Sequence, residues 1–362
     1  MYIMTQQQAS TTIRSTDQNR MVTEIKKSYK LKFIVLISAF IAAILISVVI
    51  GRYSLSIGDF FRVLWSRISP GYVVRSWDPA AEKVLFNIRL PRVAAALLIG
   101  AALSMAGVSY QGMFRNPLVS SDILGASTGA GFGAALAILL GANYFGISIA
   151  AFVFGLAAVA LAYILSRLSP TTETLAMILS GMVISSLFSA GTSFIKLVAD
   201  TDDQLPAITY WLMGQLSSIK VRDVKFMIIP MLIGIVPLVL LRWRLNLLTV
   251  EEETSKSVGV NITALRLVVV VCATLLTAAA VSVSGMIGWI GLVIPHLCRM
   301  LFGYDYRRLI PATALFGATF LLVVDDIARM ATTAEIPIGI LTSFVGAPLF
   351  LYLLLTGGGR KR

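Results

Sequence analysis

The sequence predicts an all-α integral membrane protein with about ten transmembrane helices. Three observations carry this. Of the 362 residues, 57% are hydrophobic and 13% charged, where soluble domains carry about 25% charged residues. Apolar runs of roughly 20 residues, enough to cross ~30 Å of hydrocarbon as a helix, recur along almost the whole chain. The alternating ~10-residue segments of a membrane β-barrel do not.

Taken in order, residues 1–32 are polar and then basic, with Lys26, Lys27, Lys30 and Lys32. They read as a cytoplasmic N-terminal tail, too long and polar for the head of a signal peptide. The membrane domain occupies 33–356. Its first span covers 33–50, and an amphipathic external segment to about residue 83 follows, with Trp65 and Trp77 suited to an interface. Spans two to four cover 84–110, 118–140 and 146–168. Ser169 and Pro170 read as N-cap and first helical residue of span five, which ends near residue 199. After a polar stretch holding the short apolar piece 208–213, spans six and seven cover 226–241 and 262–283. Span eight, 287–301, is interrupted by Gly288, Gly291 and Pro295, and spans nine and ten cover 309–324 and 336–355. A basic tail, 357–362, follows. Ten spans divide into two five-helix halves, and the odd number would insert the second half inverted, as in many transporters.

Charge supplies the orientation. The net charge of +12 sits in short clusters beside apolar runs, the pattern of topology signals rather than of a nucleic-acid partner. With both termini inside, Arg115, Arg167, Arg242, Arg244, Lys256, Arg299, Arg307 and Arg308 are internal, while Asp200, Asp202, Asp203, Asp325, Asp326 and Glu335 are external. Arg89 and Arg92 run against that bias. They head residues 87–133, where two apolar helical runs are joined by a polar turn at 111–116, and Gly125, Gly129 and Gly133 share one helix face. In lipid, a small-residue face lets backbones approach closely. The stretch therefore predicts a tightly packed hairpin with a charged head.

Reactive chemistry is sparse. His296 is the sole histidine, so no metal site is expected. Cys272 and Cys298 lie in or at the end of apolar runs, as packing residues. No GxxxxGK[ST] loop for ATP is present. Charges within the spans are few, which disfavours an ion-coupled carrier acting alone. The internal polar segment 249–261, TVEEETSKSVGVN, fits either a solvated loop or short helices docked on a cytosolic partner.

A set of motifs then appears in order: RLPR (89–92), Gln111 with RNPL (115–118), LGASTGAGFG (124–133), YWLMG (210–214), GMIGWIGLVIPHLCR (285–299), GYDYRRLIP (303–311), DIAR (326–329) and EIPIGILTSFVGAP (335–348). Together, over 88–355, they resemble the FecCD-type permease subunits of ABC importers for ferric siderophores, haem and cobalamin. The resemblance implies the type II ABC importer permease fold, no enzymatic chemistry and no cofactor in this chain. It implies a second permease subunit, two ATPase subunits that carry ATP and Mg, and an external substrate-binding protein. The setting it implies is the bacterial cytoplasmic (inner) membrane.

By the same resemblance, exposed Arg89, Arg92 and Arg329 would dock the binding protein. Asn116 and Leu118 would form a cytoplasmic gate with a threonine among Thr171, Thr172 and Thr174. Residues 251–259, with Glu251, Glu252, Glu253, Ser257 and Gly259, would couple to the ATPases. The expected cargo is a ferric siderophore, with haem or cobalamin as alternatives. An ion-coupled secondary transporter is the rival from a different class. Ser121, Trp289 and Val258 depart from the family's common proline, phenylalanine and leucine.

Overall fold

The regular structure in the computed structural model, which describes residues 28–51, 53, 56–68, 77–250 and 259–357, is entirely helical. In chain order the helices are α1 (Ser28–Val49), α2 (Ile57–Ile68), α3 (Pro79–Met113), α4 (Ala126–Leu139), α5 (Tyr144–Leu168) and α6 (Glu173–Val198). Then come α7 (Gln204–Met213), α8 (Val221–Leu240), α9 (Leu245–Leu248), α10 (Ile262–Ser284), α11 (Ile290–Phe302), α12 (Tyr306–Met330) and α13 (Ile338–Gly357). Each of the ten predicted spans has its helix. Seven of them are long and apolar enough to cross a membrane, and the shorter three run over Ala126–Leu139, Ile290–Phe302 and Ile338–Tyr352.

Several boundaries are set by side chains that satisfy the free N–H groups at helix starts. Asp78, ahead of Pro79, accepts from the Ala80 amide at 2.9 Å. Asn143, Asn261 and Asp305 play the same part for α5, α10 and α12. Other boundaries differ from expectation. The N-terminal tail is already helical at Ser28. α6 begins at Glu173, with Thr172 as its N-cap residue. Ser169 instead caps α5 in an extended conformation, and its hydroxyl bonds the Thr171 amide and hydroxyl at 3.3 and 2.9 Å.

The third and eighth spans are shorter than their apolar runs because left-handed backbone interrupts them. Residues 118–125 form successive turns ending at Gly125 (φ 85°), and Asp122 accepts from the Ser127 amide to start α4. α11 is broken ahead of residue 290, between Gly285 (φ 70°) and Trp289 (φ 71°), while Gly291 and Pro295 lie inside the helix.

α3 and α10 are the central helices. α3 packs against α12, α10 and α11, while α10 also contacts α8, α5 and α4. Glycines permit the closest approaches: an added Cβ at Gly107 would overlap the Gly291 carbonyl, and one at Gly100 the Gly317 carbonyl. Between helices in lipid, where apolar burial gives little drive, such packing supplies much of the attraction. The hairpin expected at 87–133 does not form as a pair. Gly129 and Gly133 pack on the Phe154 and Ala150 backbone of α5 rather than on α3.

Candidate functional site

Two polar clusters lie at opposite ends of the bundle, with an apolar groove at a third position. The first cluster holds the three arginines. Pro91 lacks the N–H that an α-helix would aim at the Asn87 carbonyl, and α3 widens into a π-turn over Leu85–Arg89 just before it. This stretch of α3 carries Arg89 and Arg92 into the protein. Arg92 meets Asp325 of α12 through Nε and Nη2, with contacts between 2.8 and 3.1 Å, and Glu335 through Nη1 at 2.9 Å. Arg89 donates to the carbonyls of Val48 (2.9 Å), Val49 (3.0 Å) and Tyr53. Arg329 donates to the Ser47 carbonyl at 2.6 Å and pairs with Asp326.

Arg89 and Arg329 thus cap the carbonyl end of α1, where a cation also complements the helix dipole. Gly51 leaves room for the Arg89 guanidinium beside that end. The arginines were expected as exposed charges. They are instead 3%, 6% and 6% exposed for Arg89, Arg92 and Arg329. Burying a guanidinium is costly unless it is paired or hydrogen-bonded; here Asp325 and Glu335 pair with Arg92, Asp326 pairs with Arg329, and carbonyls at the end of α1 accept from Arg89 and Arg329.

The second cluster surrounds the turn after α3. Asn116 and Leu118 are exposed, and the Asn116 side chain accepts from the Leu118 amide at 2.9 Å. Thr171 and Thr172 are exposed and Thr174 half-buried at the start of α6. The turn reaches α6 farther along, where Gly181 packs on the Ile123 carbonyl and Leu124. Glu173 joins three helices by pairing with Arg167 at 3.1 Å and Arg266 at 2.6 Å. Of the coupling residues, Glu251, Glu252, Glu253 and Ser257 lie outside the described residues, and Gly259 takes a left-handed φ of 74°.

Sequence reasoning missed the buried centre of this cluster. Pro295 cannot donate to the Gly291 carbonyl one turn earlier. The Gln111 amide sits there instead, 3.4 Å from Gly291 and 2.9 Å from the Val119 carbonyl, while its oxygen accepts from Arg299. Asn246 bridges Asp305 (3.0 Å) and the Tyr306 amide (3.0 Å). Glycine four residues before proline inside an apolar helix was the available signal. It marks a carbonyl in need of an outside donor.

A groove of about 590 Å³ opens between the end of α7 (Leu212, Met213), the Met286–Gly288 break and α13 (Gly339, Ser343, Phe344). No charged side chain lines it. Among the described residues, no three His, Cys, Asp or Glu side chains converge as metal ligands.

The chain as a whole is similar to known proteins. The "Molybdate import system permease protein MolB" of Haemophilus influenzae is 42% identical over 316 residues, 86% of this chain and 93% of the relative. A "Probable iron chelatin transport system permease protein" of Helicobacter pylori is 44% identical over 276 residues, 76% of this chain and 83% of the relative. A solved inward-facing metal-chelate type ABC transporter superposes with a TM-score of 0.80 at 41% identity, covering 89% of this chain and 98% of that one. The profile of the FecCD transport family matches residues 39–356. A helical bundle of this order, matched by that profile from within α1 to α13, belongs to the FecCD transport family: it is an integral-membrane permease subunit of an ABC importer, a transport component rather than an enzyme.

Proposed function

We propose that the chain conducts a ferric siderophore across the bacterial cytoplasmic membrane, with its termini in the cytoplasm. Membership of an ABC permease family sets aside the ion-coupled carrier and implies ATPase partners and a second permease. The observation that carries the cargo reading is the groove between α7 and α13. Its volume and lack of charge suit a bulky chelate that must pass without being held, since conduction needs weak binding along the path. The "iron chelatin" relative agrees with this reading, and the molybdate relative supplies its competitor.

The binding protein docks at the Arg92 end. Arg89, Arg92 and Arg329 act there from beneath, by fixing the α1 terminus and the exposed 331–334 turn. Asn116, Leu118, Thr171, Thr172 and Thr174 form the gate at the opposite end. Residues 251–259 seat on the ATPases, which bind ATP and Mg.

Uptake by a strain lacking this gene tests the cargo. It is offered radiolabelled ferric siderophores, haem, cobalamin and molybdate, with the wild type alongside. Loss of ferric-siderophore uptake alone is the expected result. Loss of molybdate uptake with siderophore uptake intact would overturn the assignment.

A further inference from the structure

We propose that Arg115 is a positioning residue that transmits movement of the segment after α9 to the gate turn at Asn116 and Leu118, with Gln111 as its fixed pivot. This rests on the importer reading above. Among the described residues Arg115 and Trp289 are the non-glycine positions with positive φ, and Arg115 stands at 50°. A side-chain-bearing residue keeps that strained conformation only when its surroundings hold it. Backbone bonds at the end of α3 do the holding, from the Arg115 amide to the Gly112 carbonyl at 3.2 Å and from the Asn116 amide to the Gln111 carbonyl at 3.1 Å, and the guanidinium ties the turn so held to the segment after α9. Nε donates to the Leu248 carbonyl at 2.9 Å and Nη2 to the Val250 carbonyl. Leu248 ends α9, and Val250 is the last described residue before 251–258.

The other side of the turn is anchored differently. The Asn116 amide donates to the Gln111 carbonyl at 3.1 Å, and the Gln111 side chain holds the Val119 carbonyl at 2.9 Å. Gln111 itself cannot follow Arg115 outward. It is 3% exposed, Arg299 of α11 donates to its oxygen, and its amide lies against the Gly291 carbonyl. The turn is therefore strung between a buried pivot and a clip on a surface segment. Displacing 248–250 either carries Arg115 along or breaks both of its bonds. Carried along, Arg115 draws Asn116 and Leu118 with it against the Gln111 anchor.

The test uses the complete complex, the chain assembled with its ATPases, in a Leu118→Cys background. A membrane-impermeant maleimide reads the rate of cysteine labelling without nucleotide and after trapping with ATP and vanadate. The labelling rate is expected to change several-fold with trapping. Adding Arg115→Ala or Gln111→Ala abolishes that change while the ATPases still co-purify, and Arg115→Lys, which keeps a cation and its donors, restores part of it. An unchanged nucleotide response in Arg115→Ala overturns the proposal. So does loss of co-purifying ATPase in that variant alone, which would make Arg115 part of the docking surface. If the Leu118→Cys parent itself labels identically in both states, the gate assignment fails and the relay with it. Failure of the unsubstituted chain to assemble with any ATPase would instead sink the importer reading.

Discussion

Asp325 is fully buried beside Arg92, whereas the Glu335 side chain on the same guanidinium is 30% exposed. The two carboxylates should therefore differ in energetic weight. Removing the charge of a buried partner leaves an uncompensated guanidinium and costs about 3–5 kcal/mol. A partly solvated ion pair contributes about 1 kcal/mol or less. Asp325→Asn should accordingly lower the melting temperature of the detergent-solubilised protein by several degrees more than Glu335→Gln. Equal shifts would mean that water reaches the Arg92 pocket. Exchanging Arg89 or Arg92 for an acid is for the same reason a poor probe of docking, because it would leave carboxylates or α1 carbonyls unpaired in the interior.

Among the elements, the segment that includes 251–258 carries the clearest expectation. Replacing residues 251–258 by a glycine–serine linker of equal length should leave the described helices packed as they are, yet abolish co-purification of the ATPases. Retained co-purification would place the coupling surface outside this segment. The same scale shows what could be read from sequence. The ten spans were legible because an apolar run long enough to cross a bilayer needs no partner to declare itself. The ends of α4 and α11 were not. Gly125, Gly285 and Trp289 take left-handed φ, and an apolar run looks the same whether its first turn is helical or not. The three arginines were legible as a group by resemblance, and their burial was not. Nothing in the letters placed Asp325 inward, or aimed Arg89 and Arg329 at the same end of α1. Gln111 was noted only as part of a motif, because the Gly291 carbonyl it faces is remote in sequence and is left free by Pro295, which lacks a donor.

At the scale of the whole molecule, the two polar clusters lie on one helix, α3, with Arg92 just after its π-turn and Gln111 in its last turn. An event at either cluster thus meets the same central rod. The groove lies to one side, walled by α13, whose approach is set by the Ile338 amide bonding the Gly214 carbonyl at 2.9 Å. Trp289, at the break before α11, rests its side chain on Gly346 and faces Phe350 with ring centroids 6.3 Å apart. That contact makes the indole a built-in optical gauge of the groove wall. With the other four of the chain's five tryptophans replaced by phenylalanine, emission from Trp289 should shift to longer wavelength whenever α13 swings away and lets water in. An emission maximum that stays constant through the ATP cycle would show that α13 and the α11 break travel as one body, and would leave the motion to α6 and α7.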